Sequence, residues 1–339
     1  MSCDIIMPVW NHLEITQECI NSIFNNTHYP YKLIIIDNGS EKTTANYLKG
    51  LRSQGNVRLI RNEENLGFVK AVNQGLGASR GAYKCIMNND TVATDGWLGE
   101  LVNIANLDKE IGLVNPSSNN LGQHKGRDTI DSYTIRLKES RGQYVEMGSC
   151  LGFCMLIKRN LIEKIGYFDE VYGMGNFEET DYARRATEAG YLCVRAKGAY
   201  VYHHMKSSFL KFRDYEESFK KNQDIFNKRW GSPKRILYIV TKRHGKLLDW
   251  IRDEVLNKAR GGNWIWFFFK DREDLPRLRD HSNIKLIYVP RIFFEWNCII
   301  RILKKKKRFD SVYADDSDLI QRIKRYKEFH KAETILMGG

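Results

Sequence analysis

Four short stretches of this chain carry side chains that can do chemistry. Asp37-Asn38-Gly39-Ser40 and Asn88-Asn89-Asp90 each close an apolar run. Glu178-Glu179-Thr180-Asp181 gathers three carboxylates in four residues, and His203-His204 sets two imidazoles in succession. A carboxylate such as Asp37 at a strand end can accept an N–H from a uracil or thymine ring. Asp90 is a hard oxygen donor suited to Mg2+ or Mn2+ when phosphate oxygens complete the shell, and such an ion neutralises a diphosphate leaving group. A carboxylate of the acidic stretch can take a proton from an attacking hydroxyl, and an imidazole can join a carboxylate on Mn2+. Each stretch also has a plainer reading. Asp shapes turns, acids in a first helical turn complement the macrodipole, and a His pair can pack in a core or face water.

What distinguishes these readings is where the elements put the residues. Cys3–Val9, Leu33–Ile36, Val57–Ile60, Tyr83–Met87 and Ile111–Val114 read as strands, the last stopped by Pro116, with helices over Leu13–Phe24, Val69–Ala78 and Trp97–Ala105. Continuous apolar strands separated by helices predict an α/β fold with a parallel sheet covered on both faces and right-handed crossovers. Ligands bind beyond the carboxyl ends of such strands. Pro8-Val9-Trp10-Asn11, the Asp37 stretch and the Asp90 stretch all fall there. Residues 115–142 are polar and without period, and read as a long surface excursion. Cys150–Ile157, Tyr191–Ala196 and Tyr200–Tyr202 read as further strands, with helices at Asn160–Ile165, from the acidic stretch to Ala189, and over Tyr215–Trp230. Gly231-Ser232-Pro233 is a stop signal.

The chain has 339 residues, a length that favours two domains. Its 42% apolar and 28% charged content is that of a globular protein, and 6 Pro with no short repeat argue against solenoids and propellers. The longest apolar run, Trp264–Phe269, is far too short to span a bilayer. The opening Met1-Ser2-Cys3-Asp4 has no basic or apolar leader region. Seven Cys without paired spacing read as reduced thiols, so a cytoplasmic location is expected. There is no GxxxxGK[ST] phosphate loop, and Gly75-Leu76-Gly77-Ala78-Ser79-Arg80-Gly81 ends a helix rather than opening one.

Residues 233–339 form a second strand–helix series and read as a smaller Rossmann-like α/β domain after a first domain over 1–232. It ends on a strand and Gly338-Gly339, as expected of a truncated chain or of an end that packs elsewhere. It holds 25 Lys/Arg against 14 Asp/Glu, most of the chain's net charge of +13, including the run Lys304-Lys305-Lys306-Lys307-Arg308. Thr241-Lys242-Arg243-His244-Gly245 stands where a Gly-rich phosphate loop would be. Such a surface attracts nucleic acid, anionic lipid at a membrane face or an acidic partner, or is a solvated helix face. Nucleic acid is disfavoured because no matching motif accompanies the charge. The expected role is to position an acceptor or partner, alongside a self-association contact that would make a homo-oligomer.

Taken in order, Pro8-Val9-Trp10-Asn11, Asp37-Asn38-Gly39-Ser40, Asn65-Leu66-Gly67-Phe68 with Asn73, Asn88-Asn89-Asp90-Thr91, Phe168-Asp169-Glu170, Phe177-Glu178-Glu179-Thr180-Asp181-Tyr182 with Arg185 and Gly190, and His203-His204 resemble the successive motifs of the family 2 inverting glycosyltransferases, in a rhamnosyltransferase-like branch. The resemblance covers about residues 3–209. It implies a GT-A fold, a UDP-, dTDP- or GDP-linked sugar donor and Mn2+ or Mg2+. It further implies donor contacts at Pro8, Val9, Asn11, Asp37, Asn65, Gly67, Asn73, Asn88, Asn89 and Arg185. Metal ligands are implied at Asp90, His203 and His204, and a base at Glu179 supported by Glu178 and Asp181.

Three positions depart from the family pattern. Asn88 stands where Asp is usual, Glu179 is one methylene longer than the usual Asp, and Met205-Lys206-Ser207-Ser208 replaces a Gly after the histidines. An inverting transfer needs one carboxylate to take the acceptor proton, and no second acid when a metal stabilises the diphosphate. The acceptor, whether a polysaccharide, a lipid-linked sugar or a protein, leaves no mark in the sequence. A nucleotidyltransferase would need a Gly-rich basic loop after the first strand, and Trp10-Asn11-His12-Leu13 is not one. A non-catalytic scaffold would not need the intact acids.

Overall fold

Runs of Ile, Leu and Met build the centre of the first sheet because they can be buried on both faces. β1 (Cys3–Val9) and β2 (Tyr31–Asn38) are buried along almost their whole length. The computed structural model describes residues 1–205, 215–241 and 245–337. The chain divides into two compact units, Met1–Val145 with Ser149–Gly231, and Ser232–Gly339 with Glu146–Gly148.

In the first unit, α1 (Leu13–Asn26), α2 (Lys42–Gly50), β3 (Val57–Asn62), α3 (Phe68–Ala78) and β4 (Tyr83–Met87) alternate with the two central strands. β5 (Thr91–Ala93), α4 (Trp97–Leu107), β6 (Ile111–Ser117), α5 (Ile130–Leu137), β7 (Tyr144–Met147), β8 (Cys154–Lys158) and α6 (Arg159–Ile165) follow. α7 (Glu178–Glu188), β9 (Leu192–His203) and α8 (Tyr215–Trp230) complete it. The strand order is β3-β2-β1-β4-β8-β6-β9-β5, with β7 also on β9. β1 to β4 pair in parallel.

The sheet is mixed rather than all parallel, because β8 runs antiparallel to both β4 and β6. Its buried run looks in sequence like any doubly covered strand, so composition does not reveal direction. β6 continues through Pro116, with a register shift at Pro116/Ser117 where Ala196 gives way to Tyr200 on β9. The two strands expected over 191–202 are therefore one bulged strand. The expected surface excursion contains α5, capped by Thr129, whose hydroxyl accepts the Ser132 N–H. Tyr133 of α5 packs edge-on against Tyr200 at 5.0 Å.

One detail opens the site. β1 pairs with β4 only as far as Ile6↔Ile86, but with β2 as far as Val9↔Asp37. Pro8 thus lies beyond the β4 pairing, where its missing N–H costs no ladder bond on that side. Below this edge the core packs Ile5, Met7, Ile20, Leu33, Met87, Trp97 and Leu101. Trp97 Nε1 is satisfied by Thr27 Oγ1 at 2.9 Å.

The second unit contains β10 (Arg235–Ile239), α9 (Gly245–Arg260), β11 (Trp264–Phe269), β12 (Ile284–Tyr288), α10 (Phe294–Leu303), β13 (Ser311–Ala314), α11 (Ser317–Lys324), α12 (Lys327–His330) and β14 (Glu333–Leu336). Its strands are all parallel, in the order β12-β11-β10-β13-β14. That is the doubly wound order, reversing between β10 and β13. Of the Thr241–Gly245 stretch, Thr241 donates its N–H to Asp315 at 2.8 Å, and residues 242–244 lie outside the described residues, as do 206–208 and Gly338-Gly339. All seven cysteines are buried and free. Among the described residues no helix is long and apolar enough to cross a membrane.

Candidate active site

At the ends of β1 to β3 the polar side chains hold one another. Asp37 is fully buried. Its Oδ1 accepts the Ser40 N–H at 2.9 Å, and its Oδ2 pairs with Arg61, which also donates to the Ser40 carbonyl at 3.2 Å. Asn38 donates to Asn65 Oδ1 at 2.7 Å and accepts from Asn62 and from the Leu66 N–H. Asn65 Oδ1 also takes the Gly67 N–H. Gly39 has φ +77°, and a Cβ there would sit 2.6 Å from the Glu64 carbonyl carbon, so this turn requires glycine. The Asn11 N–H donates to Ser40 Oγ, whose hydroxyl faces the Val9 carbonyl, and Asn11 Oδ1 caps the Glu41 N–H. Asn11 and His12 both lie in the left-handed region. Consecutive residues of that kind in a non-glycine pair are strained and recur at functional sites.

Asn73 brackets Phe168, donating to its carbonyl at 2.9 Å and accepting its N–H at 3.1 Å, and thereby holds the Phe168-Asp169-Glu170 stretch.

The Asn88–Asp90 stretch is arranged differently. The Asn88 N–H donates to the Phe153 carbonyl, and Asn89 donates to Thr16 Oγ1. β5 then pairs with β9 so that Thr91 faces His203. This brings Asp90 Oδ1 within 3.0 Å of His203 Nε2, both nearly buried. His203 is stacked on Phe153 at 5.2 Å and pinned at its backbone by Asn119, which both donates to and accepts from it. His204 turns the other way, to Glu18 Oε2 at 3.1 Å. Met205, where the family usually has Gly, has φ +54°. Asn88 Oδ1 and His203 Nδ1 are buried without a hydrogen-bond partner.

Asp90 and His203 present adjacent donor atoms, and among the described residues no group of three or more metal-ligating side chains gathers. Such a pair fits a divalent ion whose other positions are taken by phosphate oxygens and water, not a closed structural cage.

Asn176 and Phe177, again both left-handed, turn the chain into α7. Glu178 and Glu179 open the helix, each turned back to its own backbone N–H. One oxygen of each is buried and unpartnered. Burial and then the neighbouring Glu179 charge push the Glu178 carboxyl well above the usual range, and burial also raises Glu179. Of the two neighbouring carboxyls Glu178, the more strongly raised, keeps its proton to the higher pH.

Asp181, one turn on, is the opposite case. It accepts from Arg185 Nε, Arg229, Trp230 Nε1 and the Tyr172 hydroxyl at 2.7–3.3 Å. Arg185 spends its other nitrogens on the Ile165 and Tyr167 carbonyls. Asn222 of α8 donates to the carbonyls of Tyr172 and Gly175, fixing the loop before Glu178.

Gly152 and Phe153 join the two clusters. A Cβ on Gly152 would lie 3.8 Å from Glu179 Cβ, while Phe153 braces both Asn88 and His203. Asn115, wholly buried, holds this turn by donating to the Leu151 carbonyl and accepting the Leu151 N–H. Glu18, Arg61, Asn115, Asn119, Phe153, Asn222, Arg229 and Trp230 carry no spacing signal in the sequence, because the site partners named for them are distant in the chain.

Residues 4–166 match the profile of glycosyl transferase family 2, and the N-terminal unit belongs to that family. Glycosyltransferase AglE of Haloferax volcanii is 27% identical over 195 residues, 55% of this chain and 62% of that protein. An uncharacterized protein of Sinorhizobium fredii is 26% identical over 260 residues, 67% of this chain and 27% of its own length. The chain therefore spans less than two thirds of either relative. The mannosyltransferase PcManGT of Pyrobaculum calidifontis, solved in complex with GDP-Man and Mn2+, matches with a TM-score of 0.52 over 67% of this chain and 64% of that one, at 18% identity. The likeness is one of fold, and the fold is GT-A as expected.

Proposed function

We propose that the N-terminal unit transfers a sugar from a nucleoside-diphosphate donor to an acceptor hydroxyl, with inversion at the anomeric carbon. The observation that most supports this reading is a juxtaposition. Glu178 and Glu179 each keep one buried oxygen without a partner, Glu179 borders Gly152, and the next residue braces Asn88 and His203 beside Asp90. In this reading the nucleotide lies over the ends of β1 and β2, against Pro8, Val9 and Asn11. Asp37, Asn38, Asn65 and Gly67 keep that edge rigid. Asn88 and Asn89 face the diphosphate. Asp90 and His203 would hold Mn2+ or Mg2+, which supplies charge neutralisation to the departing diphosphate.

Glu179 takes the proton from the acceptor oxygen as it attacks the anomeric carbon from the face opposite the diphosphate. A carboxylate raised toward neutral pH is a better proton acceptor than an ordinary one. Glu178, holding its own proton, lies beside Glu179. Asp181 and Arg185 position the helix that carries both. A polysaccharide, a lipid-linked sugar or a protein fits as acceptor.

The test is calorimetric titration of the full chain with UDP-, dTDP- and GDP-sugars in the presence of Mn2+. Binding of at least one is expected. Absence of binding across the panel overturns the reading.

A further inference from the structure

Helix α10 turns only part of its surface to the core. Phe294, Cys298, Ile299 and Ile302 are buried, whereas Trp296, Ile300 and Leu303 are 48%, 43% and 38% exposed. Spacings of four and three residues put these three on one stripe. Ile292 and Phe293, immediately before the helix, are 76% and 75% exposed. Phe293 is also held at φ +53°, a left-handed conformation that bulky residues rarely adopt. A lone exposed apolar residue is unremarkable, but a contiguous stripe marks an interaction surface.

The basic run follows directly. The ion pairs nearby join Arg291 to Asp271 and Arg322 to Glu295. Arg301, Lys304, Lys306, Lys307 and Arg308 are exposed and have no carboxylate partner among the described residues. Lys305 lies over the Trp266 ring at 5.0 Å, where burial and the charges of Arg235 and Lys285 depress its pKa. The region carries more positive charge than it neutralises.

A covering partner must therefore be apolar along one stripe and anionic at its end. A second copy of this chain would answer the stripe but supply no anionic group to either basic run. A nucleic acid would answer the charge but leave the stripe in water. An anionic bilayer answers both. Its acyl boundary takes up Trp, Phe, Ile and Leu, and its headgroups attract Lys and Arg. Trp at the boundary matches its preference for the membrane interface. We propose that α10 and Lys304–Arg308 form a docking surface for an anionic phospholipid bilayer. This is independent of the sugar-transfer reading, since it involves no residue of the first unit.

The full chain, without donor or metal, is sedimented with phosphatidylcholine vesicles with and without phosphatidylglycerol. Binding to the anionic vesicles alone is expected, weakening as salt shortens the Debye length. Trp296→Glu with Ile300→Glu should weaken binding by about tenfold or more, as should reversing Lys304, Lys306 and Lys307. All five positions are exposed, so thermal melts should match wild type. Trp296→Phe should keep binding but lose fluorescence quenching by lipids brominated in the acyl chain. Binding that the Glu variants leave intact, or an absence of vesicle binding, overturns the proposal. So does a lipid-free dimer abolished by Trp296→Glu, which assigns the stripe to a second copy. Retention on DNA without binding to vesicles assigns the charge to nucleic acid and has the same consequence.

Discussion

At the ends of β1 to β3, Asp37, Asn38, Asn62 and Asn65 meet their hydrogen-bonding needs from one another, from Arg61 and from backbone groups. Across the same edge, at the end of β4, the end of β9 and the start of α7, Asn88, His203, Glu178 and Glu179 each keep a buried polar atom without a partner. Such atoms cost stability, about 1–3 kcal/mol each when nothing satisfies them. The first half is built to stay in one shape. The second keeps polar atoms in reserve, which the first half does not, and the reserve is where a reacting ligand would be engaged. Residue type alone does not separate the two, since Asp37 and Asp90 both close apolar strands. Asp181 makes the same point within one helix, being saturated by four partners one turn from two unsatisfied glutamates.

The sharpest way to break the contrast is to remove one residue from the unsatisfied half. Asp90→Ala should abolish metal-dependent donor binding in calorimetry while the thermal melt stays near wild type, because the side chain leaves no core cavity. Normal turnover with Mn2+ would show that the half containing Asp90 is not the metal half.

Glu179→Gln should lower transfer by about 10²–10⁴ and leave donor affinity within a few-fold, since the amide keeps its size but cannot take a proton. Equal losses in both would place Glu179 with the frame.

Asp181→Ala should do the reverse. Removing a buried carboxylate from two arginines costs on the order of 3 kcal/mol, the partly exposed guanidiniums lowering the loss by turning to water. Urea denaturation should show this loss, with little at Glu179→Gln.

These contrasts were only partly legible in the sequence. β1, β4 and α8 have the ends expected from apolar runs and stop signals, because local pattern determines them. The antiparallel β8 and the bulge in β9 depend on partners far along the chain and have no local signature. Every residue type at the site was visible, but not its state. That Asp181 is saturated follows from Arg229 and Trp230, 48 and 49 residues away. That the His203 ring rather than the His204 ring meets the Asp90 carboxylate follows from the Thr91–His203 register.

The smallest expected effect is on stability against pH. The folded-state value of Glu178 is raised above its ordinary one by burial and by Glu179. The folded state therefore holds a proton that the unfolded chain releases. Its contribution is full below the ordinary glutamate value and is lost as pH rises through the raised one. Glu178→Gln should remove this loss. Its stability relative to wild type should increase from about pH 4.5 upward, as read by denaturant midpoints across pH, and a constant difference would contradict the shift.

Whether the unsatisfied half performs the chemistry is tested most directly by nucleoside-diphosphate release from UDP-, dTDP- and GDP-sugars with Mn2+, followed against pH in wild type and Glu179→Gln. We expect slow release from at least one donor, with water as acceptor, falling as pH drops through the raised value of Glu179 and lost in the variant. Release that the variant matches at every pH, or no release from any donor, would contradict the assignment.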